Sequence, residues 1–312
     1  MEEKKALSTQ DVANMLNVSK STIYGMIKNG EILSYKVGRK VRFTESDVYD
    51  YINRSRTENT PSATEKLASY VLKDSVREKS VREFVICGQD IILDILSNYM
   101  RSYGYQALRA YIGSYDSLTA LYRNKVDVAT AHLWDGESKQ YNIPYVKYLL
   151  PGIPTLVIHF TKRMQGFFVA KGNPKNITSW HDFSRSDIVL INREFGAGSR
   201  VLLDENLKLL GISYKSIKGY ETQVQSHFAV ASAVGRGEAD VGIGIEKIAK
   251  QIDGVDFVPL QQEKYDLVIK KEDLDKPEMI AMLNIIRSDE FKKEFKNIGG
   301  YDISEMGEVV KG

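Results

Sequence analysis

The residues of this sequence best suited to bind a ligand lie around a glycine-rich turn, Gly-Ala-Gly-Ser-Arg, at positions 196–200. This turn joins a predicted strand, DIVLINR, to a predicted helix, so that free backbone N–H groups at the helix start lie beside it. Arg193, Ser199 and Arg200 add two guanidinium groups and a hydroxyl within eight residues. Guanidinium groups form strong charge-assisted hydrogen bonds with anions. The pattern predicts an anion site, although one of the arginines could instead form an ordinary ion pair.

Glycine or small polar residues follow three other predicted strands, at Gly88-Gln89-Asp90, Gly113-Ser114-Tyr115 and Gly242-Ile243-Gly244. In open α/β sheets, ligands bind beyond the carboxyl ends of the strands. Tyr265, in a later extended segment, could cover the ligand. The predicted ligand contacts are Gln89, Asp90, Ser114, His132, Arg193, Ser199, Arg200, His227, Gly244 and Tyr265. The glycines also have an alternative interpretation as turn and packing residues.

Neither a catalytic set nor a metal site emerges from the remaining reactive residues. Ser199 is not in the Gly-x-Ser-x-Gly pattern of hydrolases, and the four histidines lack the spacing of metal ligands. Cys87 ends an apolar strand, which favours a buried, inert thiol. A single cysteine also excludes a disulfide framework. We therefore expect no enzyme activity and no cofactor beyond a small-molecule effector.

A short basic stretch stands near the start of a chain whose net charge is only +2. Between Ser19 and Phe43 there are six lysines and arginines, with Glu31 as the one acidic residue. Such stretches are typical of surfaces that bind nucleic acid. Because an ordinary solvated surface can produce the same charge run, the predicted elements around it must support the interpretation.

Those elements indicate a small winged helix-turn-helix. TQDVANML after Ser8 and KSTIYGMIKNG after Ser19 have the apolar spacing and capping residues of two short helices. SYKVGRKVRF alternates as a hairpin does, and TESDVYDYIN begins with a capping sequence for a third helix. The predicted DNA contacts are Ser19, Lys20, Ser21, Thr22, Tyr24, Lys28, Arg39, Lys40 and Arg42.

The stretch Leu7–Ile52 resembles the excisionase-type helix-turn-helix domains related to mercury-resistance regulators. The matching segments are LSTQDVANMLNVSKSTIYGMIKNGEI, KVGRKVRF and TESDVYDYI. The resemblance implies double-stranded DNA as a partner, with the second helix in the major groove and the hairpin against the backbone. A protein-binding or merely structural helical domain is the alternative.

From residue 81 predicted strands and helices alternate, which favours an α/β fold with largely parallel sheets. The strands fall into two groups, and extended segments near 155–171 and 255–270 could cross between them, as in a hinged two-lobed architecture. The predicted domains are a winged helix-turn-helix at 1–55, a partly helical linker at 56–80, and a ligand domain at 81–312. Its first lobe would contain 81–164 and 258–312, and its second lobe 165–257.

Residues 84–270 resemble the periplasmic-binding-protein-like (type II) ligand domain found fused to helix-turn-helix regulators, akin to molybdate-binding proteins. The matching segments are AHLWDGESKQYN, KGNP, LINREFGAGSRVLLDENL, KGYETQVQSHFAVASAVGRGEADVGIGIEKIA and DFVPLQQEKYDLVI. The resemblance implies two lobes closing on a small ligand, by analogy a tetrahedral oxyanion such as molybdate or tungstate. One departure affects the ligand: the first ligand loop of such domains usually reads serine-histidine-aspartate, whereas here it reads Gly88-Gln89-Asp90.

Together these patterns predict a one-component transcriptional regulator that binds DNA and a small molecule, acts as a homodimer and does not contact a membrane. The start of the chain lacks an apolar signal-peptide core, so the expected location is the cytoplasm. Two alternatives remain open, an excisionase-like architectural protein and a substrate-binding or transport component for another metabolite.

Overall fold

A computed structural model describes residues 6–16, 18–38, 40–55 and 83–310. The described residues before 56 and those after 82 belong to two separate compact units. Arg39, predicted to contact DNA, and the predicted linker at 56–80 lie outside the described residues.

The N-terminal unit contains three helices and a small antiparallel sheet. The helices are α1 (Thr9–Met15), α2 (Lys20–Lys28) and α3 (Glu45–Ser55), and the strands are β1 (Leu7–Ser8), β2 (Tyr35–Val37) and β3 (Lys40–Phe43). Strand β3 lies between β1 and β2, and β2 and β3 form the predicted hairpin, called the wing below. Helices and sheet share one core around Val12, Ile23, Phe43 and Val48.

Side-chain caps fix where the N-terminal helices begin. The Ser8 and Asp11 side chains form a capping box at the start of α1. The Ser19 hydroxyl accepts a hydrogen bond from the backbone N–H of Thr22 at the start of α2. Each cap satisfies an N–H group that has no partner inside its helix. Val18, which precedes the cap of α2, is 38% exposed.

The second unit alternates strands and helices. Its strands are β4 (Phe84–Cys87), β5 (Ala107–Ala110), β6 (Val128–Ala131), β7 (Trp134–Asp135), β8 (Gln140–Tyr141), β9 (Thr155–Ala170), β10 (Asn192–Arg193), β11 (Gln223–Val224), β12 (Val241–Ile245) and β13 (Val255–Lys270). Its helices are α4 (Ile92–Ser102), α5 (Ser114–Tyr122), α6 (Ile143–Leu149), α7 (Gly198–Leu210), α8 (His227–Gly235), α9 (Glu246–Ala249), α10 (Pro277–Arg287) and α11 (Asp289–Ile298).

The main sheet is mixed, and the expectation of largely parallel sheets is wrong. Its strand order is β12-β9-β13-β6-β4-β5. Strand β4 is parallel to β5 and β6, whereas the pairs β12–β9, β9–β13 and β13–β6 are antiparallel. The cause is the pair β9 and β13: each is one continuous strand of 16 residues, not two short ones. The two strands run in opposite directions between the lobes and pair with each other, so the part of the sheet that joins the lobes is antiparallel.

The two long strands define the lobes. At one end β13 pairs with β6 through Asp266–Ile269, and at the other end β9 pairs with β12 through Gln165–Val169. Each lobe has an apolar cluster on both faces of its sheet. The C-terminal helices α10 and α11 pack into the first-lobe cluster that contains Phe84 and Ile86. Within the described residues, no helix is long and apolar enough to cross a membrane.

Candidate functional site

A cavity of about 390 Å³ lies between the two lobes. The loops after β4 and β5 form one wall, the loops before α8 and after β12 form the opposite wall, and the long strands form the floor. Its lining residues are Gln89, Asp90, Ile91, Tyr111, Ile112, Gly113, Ser114, Thr130, His132, Arg163, Arg193, Gln225, Ser226, His227, Phe228, Ile245, Lys247, Ile248, Gln251, Tyr265 and Tyr301. This position, beyond the carboxyl ends of β4, β5 and β12, is the usual ligand site of α/β folds.

Seven of the ten predicted ligand residues line the cavity, namely Gln89, Asp90, Ser114, His132, Arg193, His227 and Tyr265. Ser199, Arg200 and Gly244 are not among the lining residues. Ser199 and Arg200 are each 1% exposed. The Arg200 guanidinium packs on the rings of Phe195 and Tyr220, and the Ser199 hydroxyl is buried without a hydrogen-bond partner. Gly244 is buried in β12 against the ring of Phe168.

The Gly-Ala-Gly-Ser-Arg turn therefore has a different role from the predicted one. The backbone N–H of Tyr115 in the first lobe donates a hydrogen bond to the Gly196 carbonyl at 3.1 Å. A Cβ atom on Gly113 would lie 3.2 Å from that same carbonyl oxygen. The glycines bring two backbones together at the rim, and the turn is a contact between lobes.

Arg163 is the centre of a buried charged network on the cavity floor. Its guanidinium forms ion pairs with Asp90 and Glu263 and lies 4.2 Å from the centre of the Tyr265 ring. All four side chains are at least 90% buried. The Tyr301 hydroxyl donates to Asp90 Oδ1 at 2.6 Å. The charges are thus compensated within the protein, as buried charges must be.

Arg193 joins the two lobes. Its Nε donates to Glu194 Oε2 at 2.7 Å, and its Nη2 donates to Gln89 Oε1 at 2.6 Å. Burial raises the pKa of Glu194, but the hydrogen bond and charge of Arg193 outweigh burial and hold the pKa below its ordinary value. Arg193 therefore forms the ordinary ion pair predicted as the alternative. It also donates a hydrogen bond to Gln89 across the cleft.

Lys247 is a cavity residue that sequence reasoning missed. Its Nζ atom is buried, has no hydrogen-bond partner, and lies 4.1 Å from the centre of the Tyr301 ring. Burial lowers the pKa of its ammonium group. The sequence signal was a lysine two residues after the strand VGIGI, because other candidates were also found just after predicted strands.

The cavity contains two neutral imidazoles. Burial, followed by the charges of Arg163 and Arg193, lowers the pKa of His132 and of His227 well below the ordinary value. His132 Nδ1 lies 3.2 Å from Glu263 Oε2, whereas His227 Nδ1 is buried without a hydrogen-bond partner. Both rings are therefore uncharged near neutral pH, and His227 retains a free polar atom.

Gly88 explains the departure in the first ligand loop. Its φ is +151°, and a Cβ atom there would lie 2.1 Å from Thr130 Oγ1 and 2.6 Å from the Tyr265 hydroxyl. Those two hydroxyls are hydrogen-bonded to each other at 2.9 Å. The hydroxyl pair occupies the space that a serine side chain would need, so a serine cannot enter without moving it.

The other reactive residues, Cys87 and His159, are not among the residues that line the cavity. Burial raises the pKa of the Cys87 thiol to about 12, which keeps it protonated. His159 Nδ1 lies 2.9 Å from Asp266 Oδ1. Among the described residues, no group of three potential metal ligands forms a site.

The predicted DNA-binding face of the N-terminal unit is exposed on α2 and the wing. Lys20, Ser21, Thr22, Tyr24, Lys28 and Lys40 are exposed, and Arg42 is partly buried. Ser19 differs from these, because its hydroxyl caps α2 and contacts the hydroxyls of Ser21 and Thr22. In the wing, Tyr35 is paired with Arg42 and Val37 with Lys40.

These features define a class, a two-lobed binding-protein domain on a chain that begins with a winged helix-turn-helix. A family model described as "PBP superfamily domain" matches residues 96–287, and one described as "Helix-turn-helix domain" matches residues 6–56. The chain belongs to the PBP superfamily and carries an excisionase-like helix-turn-helix domain at its N-terminus. The predicted fold class and both family resemblances are confirmed.

Two sequence relatives match this chain, one over almost its whole length and the other over 35% of it. The protein YvgK of Bacillus subtilis (strain 168), described as uncharacterized, is 40% identical over 311 residues, which cover 99% of each chain. An uncharacterized protein from the 5′ region of a ferredoxin 2Fe-2S gene of Clostridium pasteurianum is 53% identical over 110 residues, covering 35% of this chain and 97% of its own.

Two solved structures show the same fold at low identity. One is a putative phosphate ABC transporter substrate-binding protein from Clostridium perfringens with bound phosphate (TM-score 0.53, 14% identity, 74% of this chain and 100% of that chain). The other is the tungstate ABC transporter structure from Geobacter sulfurreducens (TM-score 0.52, 10% identity, 69% of this chain and 98% of that chain). The combination with a helix-turn-helix is that of a DNA-binding, ligand-sensing regulator.

Proposed function

We propose that this protein is a one-component transcriptional regulator whose affinity for double-stranded DNA changes when a small anion binds between the lobes. The observation that carries the proposal is the cavity itself. Its walls come from both lobes and contain Lys247 Nζ, a buried cationic atom with no hydrogen-bond partner. A ligand that contacts both walls favours the arrangement in which the lobes are together, and such differential affinity is what a sensor requires.

The DNA part of the proposal assigns the contacts to α2 and the wing. Lys28 and Tyr24 would contact the major groove, and Lys40 and Arg39 would contact phosphates. The interface would be completed by the hydroxyls and cations around them, Ser19, Lys20, Ser21, Thr22 and Arg42. A homodimer would present two copies of this face, and light scattering of the purified chain tests that state.

The function can be tested with the full chain and DNA from its host. Duplexes selected from genomic fragments are titrated by fluorescence anisotropy, before and after addition of an ultrafiltrate of host metabolites. We expect a severalfold change in affinity. Tight duplex binding that no metabolite fraction alters would favour an architectural DNA-binding protein. Metabolite binding without duplex binding would favour a substrate-binding or transport component.

The resemblance to molybdate-binding proteins makes molybdate and tungstate the first oxyanions to examine, with phosphate and sulfate beside them. The tetrahedral anion would approach Lys247 and the N–H groups at the start of α8. The fold likeness alone does not select among these ligands, and the cavity walls carry further information on this point.

A further inference from the structure

The walls of the cavity are more apolar than a bare oxyanion needs. They contain the rings of Tyr111, Phe228, Tyr265 and Tyr301 and the aliphatic side chains of Ile91, Ile112, Ile245 and Ile248. A volume of about 390 Å³ falls in the range of pockets that hold small organic ligands, which combine apolar walls with a few polar groups. A tetrahedral oxyanion has oxygen on every side and offers no apolar surface to these rings.

The charges at the cavity also disfavour a doubly charged ligand. Arg163 is neutralised by Asp90 and Glu263, and Arg193 by Glu194. Of the cationic side chains that the structure describes around the cavity, Lys247 is the one with no carboxylate paired to it. Arg163, Arg193 and Lys247 together balance the three carboxylates of Asp90, Glu263 and Glu194. Each negative charge of the ligand is therefore an added charge in the site, and a doubly charged ligand adds two.

A second unpartnered polar atom of the cavity belongs to His227. Its Nδ1 is buried and has no hydrogen-bond partner, whereas the ring also hydrogen-bonds the backbone at Ile243. A neutral imidazole has one N–H donor and one acceptor nitrogen. Among the described cavity residues, the buried side-chain atoms without a hydrogen-bond partner thus include Lys247 Nζ, His227 Nδ1 and Arg163 Nε. The ammonium group of Lys247 is a charge-assisted donor that suits a carboxylate oxygen.

We infer that the ligand is an organic monocarboxylate, with its acidic group at Lys247 and an apolar body against the tyrosine rings. This inference rests on the proposed function and names the ligand class of the same cavity. Tyr265 and Tyr301, already fixed by the Arg163 network, form the rigid surface for that body.

The test compares matched probes on the full chain, freed of small molecules by unfolding and refolding. Phenylacetate, benzoate and isovalerate are titrated by calorimetry beside their neutral amides and beside molybdate, tungstate and phosphate. We expect at least one carboxylate to bind, its amide to bind at least about tenfold more weakly, and the oxyanions to bind more weakly than the carboxylate.

Variants of Lys247 complete the test. Lys247→Gln should weaken carboxylate binding by about tenfold to a hundredfold, whereas Lys247→Arg keeps the charge and should retain most of it. Lys250→Gln, at an exposed lysine paired with Glu246 on the same turn, serves as the matched control. Circular dichroism verifies that every variant is folded.

Several results would overturn the inference: tighter binding of a tetrahedral oxyanion, equal binding of carboxylate and amide, full binding by Lys247→Gln, or no binding by any carboxylate probe. The proposed function fails separately. An oxyanion that binds and alters duplex affinity would support the proposed regulator and contradict the carboxylate ligand. A carboxylate that binds without altering duplex affinity would support the ligand class and contradict the proposed regulator.

Discussion

Arg163 compensates two carboxylates in the interior, Asp90 and Glu263, which are 6% and 0% exposed. A buried ion pair contributes little net stability compared with an apolar replacement, but removing one partner leaves an uncompensated buried charge. The network therefore fixes the shape of the cavity floor, and its loss is costly.

At this scale we predict that Arg163→Met lowers the free energy of unfolding of the second unit by about 3–5 kcal/mol. Urea denaturation followed by circular dichroism measures the change. Adding Asp90→Asn and Glu263→Gln to the same chain should restore part of the loss, because the uncompensated charges are then absent. A single-variant loss below about 1 kcal/mol would contradict this assignment of charges.

The two cavity imidazoles make stability depend on pH. Their pKa values are lowered in the folded chain, whereas the unfolded imidazole titrates near pH 6.5. Protons therefore bind the unfolded chain preferentially once the pH falls below about 6.5, and stability is lost on acidification. His227→Gln should reduce the slope of stability against pH by up to about 1.4 kcal/mol per pH unit between about pH 6.5 and 5. An unchanged slope in urea titrations would mean that His227 is not a buried neutral ring.

The limits of sequence reasoning are clearest for these residues. Local signals found Gln89, Ser114 and His227, because the ends of strands and the starts of helices can be read from spacing. The partners of Arg163 lie 73 and 100 residues away along the chain, and no local pattern connects them. Arg193 and Arg200 looked alike in sequence, but packing on Phe195 and Tyr220 turned Arg200 away from the cavity.

At the scale of elements, α2 and the wing carry most of the cations in the described part of the N-terminal unit. Each phosphate contact that is lost should reduce the salt dependence of DNA binding by about one ion. The order of these elements could be predicted because each has its own cap or alternation. The extended segments near 155–171 and 255–270 could be predicted as well, and they are β9 and β13. Their continuity could not, because TLVIHFTKRMQGFFVA reads as two strands interrupted by charges, and only the fold shows that one of those charges, Arg163, lies on the cavity floor.

We predict that Lys28→Ala and Lys40→Ala each weaken duplex binding and reduce the slope of log affinity against log salt by about one. Lys293→Ala, at an exposed lysine on α11, is the control and should leave both quantities unchanged. Fluorescence anisotropy at several salt concentrations gives the slopes. If both N-terminal variants matched the control, DNA would not lie against α2 and the wing.

At the scale of the whole ligand domain, the lobes meet at a small number of rim contacts. These are Gln89 with Arg193, Tyr115 with Gly196, Gly136 with Glu205, and Glu137 with Lys208. Two of these approaches are close at a glycine: a Cβ atom on Gly136 would lie 2.8 Å from Glu205 Oε2, and one on Gly113 would lie 3.2 Å from the Gly196 carbonyl oxygen.

We predict that Gly113→Val holds the lobes apart. The φ of Gly113 is −66°, which any residue adopts, so the added side chain acts through its volume and not through backbone strain. Small-angle X-ray scattering should give a larger radius of gyration. Ligand affinity should fall in proportion to the remaining closed fraction, about tenfold if one molecule in ten still closes. Scattering identical to that of the wild type would show that this contact does not limit closure.

The long strands β9 and β13 pair with each other from one lobe to the other, with register shifts only at Pro259/Gln261 and Tyr265/Asp266. Separation of the lobes can therefore leave that ladder in place and break only the rim contacts. The sensitivity of the protein, meaning the concentration of effector at which half the molecules respond, is then set as much by these outer side chains as by the pocket. Substitutions at Glu137 or Lys208 could shift that dose threshold while leaving the identity of the effector unchanged.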